Sequence, residues 1–201
     1  MDVATDIYYT IEASAQGIFK DKGSKFIAFA YPVSDVQQAE QHIAQLRKEY
    51  HDARHVCYAY RIDKQGITHR SFDDGEPSGT AGKPIFGQLL SADLTNVLVA
   101  VVRYFGGTLL GTSGLINAYK TAAKEALNDA KKVEKFWTST MKIAFDAADT
   151  NKVMHIVKTE NLQIVSQNFE QDYQIVLNVR DGRWKTVKEQ FATFCQIVAN
   201  Q

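Results

Sequence analysis

Two glycine-rich segments contain most of the residues that could bind a ligand or take part in a reaction. Eight of the twelve glycines and two of the three prolines lie between residues 75 and 114. Glycine permits positive φ angles and close approach of the backbone, and proline fixes φ. We therefore expect the functional site in this window.

The first segment, residues 73–84, has the sequence DDGEPSGTAGKP. It is predicted to join a strand to a short helix near Pro84, because proline is pre-organised for a first helical turn. Free backbone, hydroxyls and a cation before a helix could hold an anion. The sequence is not a Walker A loop, since Pro77 and Pro84 stand where that motif needs glycine and Ser or Thr. The candidate ligand-binding residues are Asp73, Asp74, Glu76, Ser78, Gly79, Thr80, Gly82 and Lys83.

The same composition also fits a structured turn in which the three carboxylates cap backbone amides. The residues alone leave the anion site and the structured turn equally open. The carboxylates could also bind Mg²⁺ or act as acid and base. Adjacent residues on a strand point to opposite faces, so Asp73 and Asp74 need not cooperate.

The second segment, residues 103–114, has the sequence RYFGGTLLGTSG and is also predicted to lead from a buried strand into a helix. A guanidinium and two aromatic rings could stack on bases. Alternatively, Phe105 and a neighbour pack in the core, and the glycines allow tight packing. Neither G-x-G-x-x-G nor G-x-S-x-G is present, which excludes the dinucleotide-binding and α/β-hydrolase motifs. The candidate ligand-binding residues here are Arg103, Tyr104, Gly106, Gly107 and Gly111.

His55, Cys57 and Arg61 lie at alternating positions of one predicted strand and should share a face. A zinc site would need two more ligands, and only His69 on the neighbouring strand is close, so we expect no metal. Cys57 as a nucleophile with His55 as its base is geometrically awkward. A buried thiol beside a hydrogen-bonded histidine is the favoured interpretation.

Hydrophobic patterns predict the elements that position these segments. The first part should contain strands at 7–12 and 25–31, and then a helix that opens at Ser34 with a capping box to Gln37. A hairpin (55–62 and 67–72), a buried strand (96–105) and an alanine-rich helix (114–132) should follow.

A charged run at 131–135 suggests a domain boundary, which gives domains at 1–133 and 134–201. The second domain should contain a strand near Trp137–Phe145, a helix capped by Asp149 or Thr150, a hairpin (162–169 and 173–179), a helix from Trp184 and a possible strand at 196–199. This β-α-β-β-α order, with a possible final β, is ferredoxin-like. The fold class is therefore α+β.

Composition limits the class of protein. The 201 residues are 45% hydrophobic and carry 23 basic and 23 acidic side chains, which disfavours a disordered chain and a strongly basic nucleic-acid binder. Two cysteines are too few for a disulfide framework and suggest reduced thiols in the cytoplasm. The acidic N-terminus does not resemble a signal peptide, and the longest apolar run, Val97 to Val102, is too short for a membrane span.

The segment from Arg70 to Pro84 closely resembles the signature of the IMPACT family, in particular its bacterial, YigZ-like branch. Residues 55–61 and 96–111 are similar to other blocks of that family, so the resemblance spans most of residues 15–130. It implies a first domain like the second domain of ribosomal protein S5. It also implies a ferredoxin-like second domain similar to the last domain of elongation factor G. Ser113 departs from the family pattern, in which a glycine is expected.

The resemblance implies a non-enzymatic role that involves RNA or the translation machinery, with no cofactor and no catalytic residue to transfer. Eukaryotic relatives restrain a stress kinase of translation initiation with an extra N-terminal domain for which this sequence has no room, so that pathway is not transferred. RNA or a ribosome-associated factor would bind a local groove lined by Arg61, Arg70, Lys83 and Arg103. Zero net charge disfavours tight non-specific binding.

The alternative is an enzyme that acts on a phosphorylated or nucleotide ligand. Ser78 or Thr80 would position the ligand and Lys83 would neutralise its phosphate. Asp74 or Glu76 would bind a metal ion or accept a proton. The sequence leaves the identity of the ligand and the oligomeric state open.

Overall fold

The computed structural model describes residues 6–64, 66–169 and 173–200. The chain forms two compact α+β units. One unit comprises residues 8–135, and the described part of the other comprises residues 6, 7, 136–169 and 173–200.

The first unit is built on a five-stranded antiparallel sheet with the strand order β2-β3-β6-β4-β5. Helix α1 packs on one face, and α2 and α3 pack on the other. Strands β1 and β7 form a separate two-stranded sheet. The bounds are β1 Ile7–Ile11, β2 Ala15–Asp21, β3 Ser24–Pro32, α1 Val36–Glu49, β4 His55–Ile62, β5 Thr68–Phe72, α2 Gly82–Ser91, β6 Val97–Tyr104, α3 Gly111–Asp129 and β7 Lys132–Phe136.

Strand β6 is the central strand, and the prediction of a buried strand at 96–105 is confirmed. Its side chains from Val97 to Val102 have no solvent exposure. Alternate residues enter two separate cores: Val97, Val99 and Val101 face α2 and α3, while Leu98, Ala100 and Val102 face α1. A strand buried on both faces has an uninterrupted apolar sequence.

Strand β2 was not predicted, because Gly17 interrupts its apolar pattern. A Cβ at Gly17 would lie 2.3 Å from the backbone nitrogen of Ala126 in α3. The glycine is therefore required by the close approach of the helix to the strand and does not mark a turn.

Helix boundaries also differ from the sequence pattern. Asp35 caps α1 instead of Ser34: its carboxylate accepts the backbone N–H of Gln38, whose side-chain oxygen accepts the N–H of Ser34. Helix α3 begins at Gly111 instead of residue 114, and β7 occupies most of the charged run that was predicted to mark a domain boundary.

The second unit has the ferredoxin-like β-α-β-β-α-β order, with the sheet arranged β11-β8-β10-β9. The possible final strand is present as β11. Asp149 stands at the N-cap position of α4, but its side chain makes no capping hydrogen bond, and the Thr150 hydroxyl donates to the Ala147 carbonyl oxygen, so the predicted cap by either side chain is wrong. Helices α4 and α5 pack on one face of the sheet. The bounds are β8 Thr138–Phe145, α4 Thr150–Thr159, β9 Gln163–Asn168, β10 Tyr173–Arg180, α5 Trp184–Phe191 and β11 Cys195–Asn200.

In the described part of the chain, no helix is both long enough and apolar enough to cross a membrane.

Candidate functional site

Three connections meet at one end of the five-stranded sheet: the β2–β3 turn, the loop 73–81 after β5, and the loop 105–110 after β6. The strand register places Lys25 opposite Tyr104 and His55 opposite Arg103, so the start of β3, the start of β4 and the end of β6 lie at the same end of the sheet. The turn touches the third connection directly, since a Cβ at Gly106 would lie 1.9 Å from the carbonyl carbon of Gly23. We call these three connections the loop end.

The Asp73 carboxylate organises the loop 73–81. One oxygen accepts the N–H of Gly79 at 2.8 Å, and the other accepts those of Ala81 at 3.0 Å and Gly82 at 2.8 Å. Burial raises the pKa of Asp73, but the three amides and the nearby Lys83 charge outweigh it, so the pKa lies below its usual value.

This arrangement corrects the expectation that the backbone at Gly79 and Gly82 is free for an external anion. The first turn of α2 already has its anion, which is supplied from within the chain. The structured turn, one of the two readings left open by the sequence, is what the structure contains at Asp73.

Asp74 fastens the same loop to two other elements. One carboxylate oxygen lies 2.8 Å from Arg47 Nη2 on α1, and the other accepts the N–H of Val56 at 2.7 Å. The carbonyl oxygen of Asp74 lies 2.7 Å from Nδ1 of His55. Both carboxylate oxygens of Asp74 are therefore engaged within the protein.

Glu76 lies at the centre of a buried polar cluster that joins the two glycine-rich segments. Its Oε1 accepts hydrogen bonds from Arg103 Nη1 and, at 2.7 Å, from the hydroxyl of Tyr119. Nε2 of His55 lies 3.9 Å away. The side chains of Glu76 and Arg103 are only 3% and 7% exposed.

Arg103 is held from several sides. Its guanidinium carbon lies 5.4 Å from the ring centre of Phe26 and 5.7 Å from that of Phe105. Its buried Nε has no hydrogen-bond partner among the residues that the structure describes. Arg103 is therefore buried beneath the surface of the loop end, where it pairs with Glu76, and it does not line an open groove.

Cys57 is fully buried under this cluster. Its sulfur lies 3.0 Å from the carbonyl oxygen of Asp73 and 3.3 Å from the hydroxyl of Tyr119. Burial raises the pKa of the Cys57 thiol and that of Tyr119 well above their usual values. The interpretation of a buried thiol beside a hydrogen-bonded histidine is confirmed. The described residues contain no group of three or more His, Cys, Asp or Glu side chains that could hold a metal ion.

Three of the candidate residues lie elsewhere, so the expected single groove is corrected. Arg61 is six positions from His55 along β4, about 20 Å away, where its Nη1 lies 3.2 Å from the Leu94 carbonyl oxygen. Arg70 is on the α1 side of the sheet with its guanidinium over Tyr58 and Phe72.

Tyr104 also faces the α1 side. Its hydroxyl donates a 2.7 Å hydrogen bond to Asp52, and this bond raises the pKa of Tyr104 to about 12. Its ring is therefore not beside the Arg103 guanidinium, since neighbouring strand residues point to opposite faces.

The remaining candidates lie in or beside the loop end and differ in exposure. Ser78 and Lys83 are exposed, whereas Thr80 is buried and its hydroxyl donates to the Pro77 carbonyl oxygen at 2.7 Å. In the loop 105–110, Phe105 is 42% exposed and Leu109 is 82% exposed. Gly106, Gly107 and Gly111 shape this loop, with φ of +85° at Gly107 and +72° at Gly111.

Tyr119 connects Glu76 to Cys57 and was not among the candidate residues predicted from the sequence. A signal was present, because Tyr119 is a large polar-tipped residue on a face of α3 made of alanines. Ala118, Ala122, Ala123 and Ala126 are all buried on that face.

The family model for the Impact N-terminal domain matches residues 22–127, which include the loop end and the buried cluster. The chain belongs to the IMPACT family. An IMPACT family member of Haemophilus influenzae is 32% identical to this IMPACT chain over 162 residues, covering 80% of this chain and 79% of that protein.

The IMPACT family member YigZ of Escherichia coli is 41% identical over 110 residues, which are 53% of each protein. A crystal structure described as that of a hypothetical protein superimposes with a TM-score of 0.76 at 25% identity. It covers 97% of this IMPACT chain and 98% of the other chain. The expected family and the expected α+β fold are therefore confirmed.

Proposed function

We propose that this IMPACT family chain is a non-enzymatic binding module of the cytoplasm that engages RNA or the translation machinery and modulates translation. The observation that carries the proposal is the internal engagement of Asp73, Asp74, Glu76 and Cys57 at the loop end. These are the side chains that a reaction at this site would use.

A general acid or base must reach the proton that it transfers, and a nucleophile must be ionised and accessible. The Asp73 carboxylate accepts hydrogen bonds from three backbone amides. One carboxylate oxygen of Glu76 accepts hydrogen bonds from Arg103 and Tyr119. The Cys57 thiol is buried and its pKa is raised. What faces outward is a cation, hydroxyls and apolar side chains, which suit binding better than catalysis.

Family membership supports the link to translation, because that is the role the IMPACT resemblance implies. Among the candidate cations, Lys83 is the one that stays exposed at the loop end, next to the exposed Ser78. A neutral chain with a local cation would bind phosphates weakly and with a modest dependence on salt.

The test is a fluorescence-anisotropy titration with labelled single-stranded RNA at low and physiological salt, in parallel with co-sedimentation on ribosomes. Lys83→Ala is compared with Lys124→Ala, which removes the same charge from an exposed position on α3. We expect the Lys83 variant to bind RNA more weakly. The slope of its log binding constant against log salt concentration should fall by about 1, which corresponds to one lost phosphate contact, while the Lys124 variant behaves as the wild type.

Failure of the wild type both to bind RNA at low salt and to sediment with ribosomes would overturn the proposal. Stabilisation against heat by nucleotides and Mg²⁺, with Glu76→Gln abolishing it, would favour the alternative of an enzyme with a phosphorylated ligand.

A further inference from the structure

We propose that the outer border of the five-stranded sheet docks an extended segment of a protein partner, which adds to β5 as a sixth strand. From its N-terminal to its C-terminal end, the segment would carry an acidic residue and then two apolar residues, at alternate positions. This inference goes beyond the proposed function, since it assigns a second surface and holds whether or not the chain binds RNA.

Strand β5 has a free edge. It pairs with β4 on one side and with no other strand in the described part of the chain. The pairing with β4 is regular, whereas the pairings of β9 and β11, the edge strands of the second sheet, are each interrupted by a bulge. An edge strand presents unpaired N–H and C=O groups, which bulges and prolines usually protect. Strand β5 contains neither a bulge nor a proline, so its edge can pair with another strand.

A charged side chain on an edge strand can also discourage pairing. In β5 this residue is Arg70, whose guanidinium carbon lies 5.9 Å from the ring centre of Tyr58 and 5.7 Å from that of Phe72. The Arg70 side chain therefore folds back over the α1 side of the sheet and leaves the edge of β5 accessible.

Helix α2 runs beside this edge on the other side of the sheet. A Cβ at Gly82, the first residue of α2, would lie 2.4 Å from the backbone nitrogen of Phe72. Four residues later, Phe86 stacks on His69 with ring centres 5.2 Å apart. Helix α2 is therefore antiparallel to β5. Four helical residues advance by about 6 Å and two strand residues by about 6.6 Å, so the next four residues bring Leu90 beside Ile67.

The helix and the strand thus form three successive pairs of side chains on the α2 side. Alternate residues of a strand share a face, and residues three and four apart share one side of a helix. All members of the pairs are exposed except Phe86, which is half-buried. Together with the free edge of β5 they form what we call the outer strip: Ser71 and Lys83, His69 and Phe86, and Ile67 and Leu90.

The spacing of the pairs fits an extended chain. Successive pairs are about 6–7 Å apart, which is the distance between alternate residues of a β-strand. A strand added along β5 would therefore bring every second side chain against one pair. Ile67 is 69% exposed and Leu90 is 50% exposed, so two apolar side chains, one beside this pair and one beside His69 and Phe86, would remove apolar surface from water.

Charge determines where the acidic residue of the partner would lie. Lys83 has no ion-pair partner within 4 Å in the described part of the chain, and the Asp73 carboxylate near it accepts three backbone amides. At the opposite end of the strip the nearby carboxylate is Asp93, 3.8 Å from Arg61. An acidic side chain therefore fits the Lys83 end.

The same end fixes the direction of the segment. Every pairing in the five-stranded sheet is antiparallel, and β5 runs from Ile67 towards the Lys83 end. An added antiparallel strand would begin at the Lys83 end, so its acidic residue precedes its two apolar residues.

Other occupants fit the outer strip less well. Twofold pairing of two β5 strands about His69 would set Ile67 of one copy against Ser71 of the other, so an apolar side chain would meet a polar one. RNA offers neither a strand edge that could pair with β5 nor an apolar side chain that could cover Leu90.

The probe is a phage-displayed library of random dodecapeptides, selected on the immobilised full-length chain. Enriched peptides are then synthesised with a fluorescein label and titrated by anisotropy. The variant Ile67→Thr/Leu90→Gln removes the exposed apolar pair. The matched control Ile18→Thr/Ile116→Gln makes the same kinds of change at an exposed strand residue and an exposed helix residue, which are 49% and 41% exposed.

We expect the enriched peptides to share an acidic residue followed by two apolar residues at alternate positions. Ile67→Thr/Leu90→Gln should weaken the binding of such a peptide by at least about tenfold through lost apolar contact, while the control variant stays within about twofold of the wild type. N-methylation of alternate peptide amides should abolish binding in one set, whose amides donate to β5, and should be tolerated in the other.

The absence of enriched peptides, enriched peptides without this alternation, or equal weakening by both double variants would overturn the inference. Self-association of the wild type that is lost in Ile67→Thr/Leu90→Gln would identify a second copy as the occupant and would overturn it as well. RNA binding should be unchanged in Ile67→Thr/Leu90→Gln and weakened in Lys83→Ala, so the failure of this inference is distinguishable from the failure of the proposed function.

Discussion

Glu76 and Arg103 form a buried ion pair that joins the two glycine-rich segments of the first unit. Glu76 belongs to the loop 73–81, and Arg103 is near the end of β6, immediately before the loop 105–110. The pair holds together the surface that we propose to bind RNA or the translation machinery. Loss of the pair should lower the free energy of unfolding more than it weakens ligand binding.

Removal of Glu76 leaves the buried positive charge of Arg103 without its partner. We expect Glu76→Ala to lower the free energy of unfolding by about 3–5 kcal/mol. Glu40→Ala, at an exposed position on α1, should change it by less than about 0.5 kcal/mol. Urea denaturation of both variants measures the difference, and similar midpoints would show that the pair contributes little.

Asp73 gives the protein a stability that depends on pH. Because its pKa is lowered in the folded state, its contribution is present above the usual pKa of an aspartate and is lost as the pH falls through the lowered value. We expect Asp73→Asn to be less stable than the wild type by about 1 kcal/mol at pH 7, because hydrogen bonds to a charged acceptor are stronger than those to a neutral amide, with the gap narrowing in acid. Denaturation between neutral and acidic pH measures this, with Asp93→Asn in an exposed turn as control.

A gap between wild type and Asp73→Asn that stays constant down to strongly acidic pH would contradict the role of the carboxylate. It would mean that the difference in stability does not depend on the ionisation of Asp73.

Cys57 should resist thiol reagents in the native protein, because its thiol is buried and its pKa is raised. The variant Cys195→Ser isolates its reaction. We expect labelling by an aromatic disulfide reagent at mildly alkaline pH to be slow until denaturant is added. Fast labelling of the native variant would show that the cluster opens readily, and would revive the nucleophile that the geometry disfavours.

The contact between Gly23 and Gly106 predicts opposite effects for two glycine substitutions. A Cβ at Gly106 would collide with the backbone of Gly23, whereas a Cβ at Gly87 in α2 would meet no atom within 4 Å. Gly106→Ala should therefore destabilise the chain by more than about 1 kcal/mol. Gly87→Ala should stabilise it by about 0.5–1 kcal/mol. Thermal unfolding of both variants tests the packing of the loop end.

Most of the fold could be predicted because its elements carry strong local patterns. The uninterrupted apolar run of β6 and the β-α-β-β-α order of the second unit are examples. Strand β2 could not be predicted, since the reason for Gly17 is a helix more than a hundred residues later. Long-range packing of this kind leaves no local signal.

The candidate site was predictable in its location but not in its chemistry. A glycine-rich loop whose backbone amides bind an external anion can have the same sequence as one whose amides bind the Asp73 carboxylate. The sequence therefore does not distinguish the two. The separation of Arg70 from Arg103 depends on strand pairing, which the sequence does not show. The separation of Arg61 from His55 needed only the rise per residue of a strand, and the sequence did contain that information.

The most direct test of binding at the loop end is a hydrogen-exchange footprint of the wild-type chain, recorded with and without single-stranded RNA. Binding of RNA at the loop end predicts slower exchange in the β2–β3 turn, in residues 73–83 and in residues 104–114, with little change in the second unit. Unchanged exchange at all three places under saturating RNA, or protection confined to the second unit, would contradict the proposal.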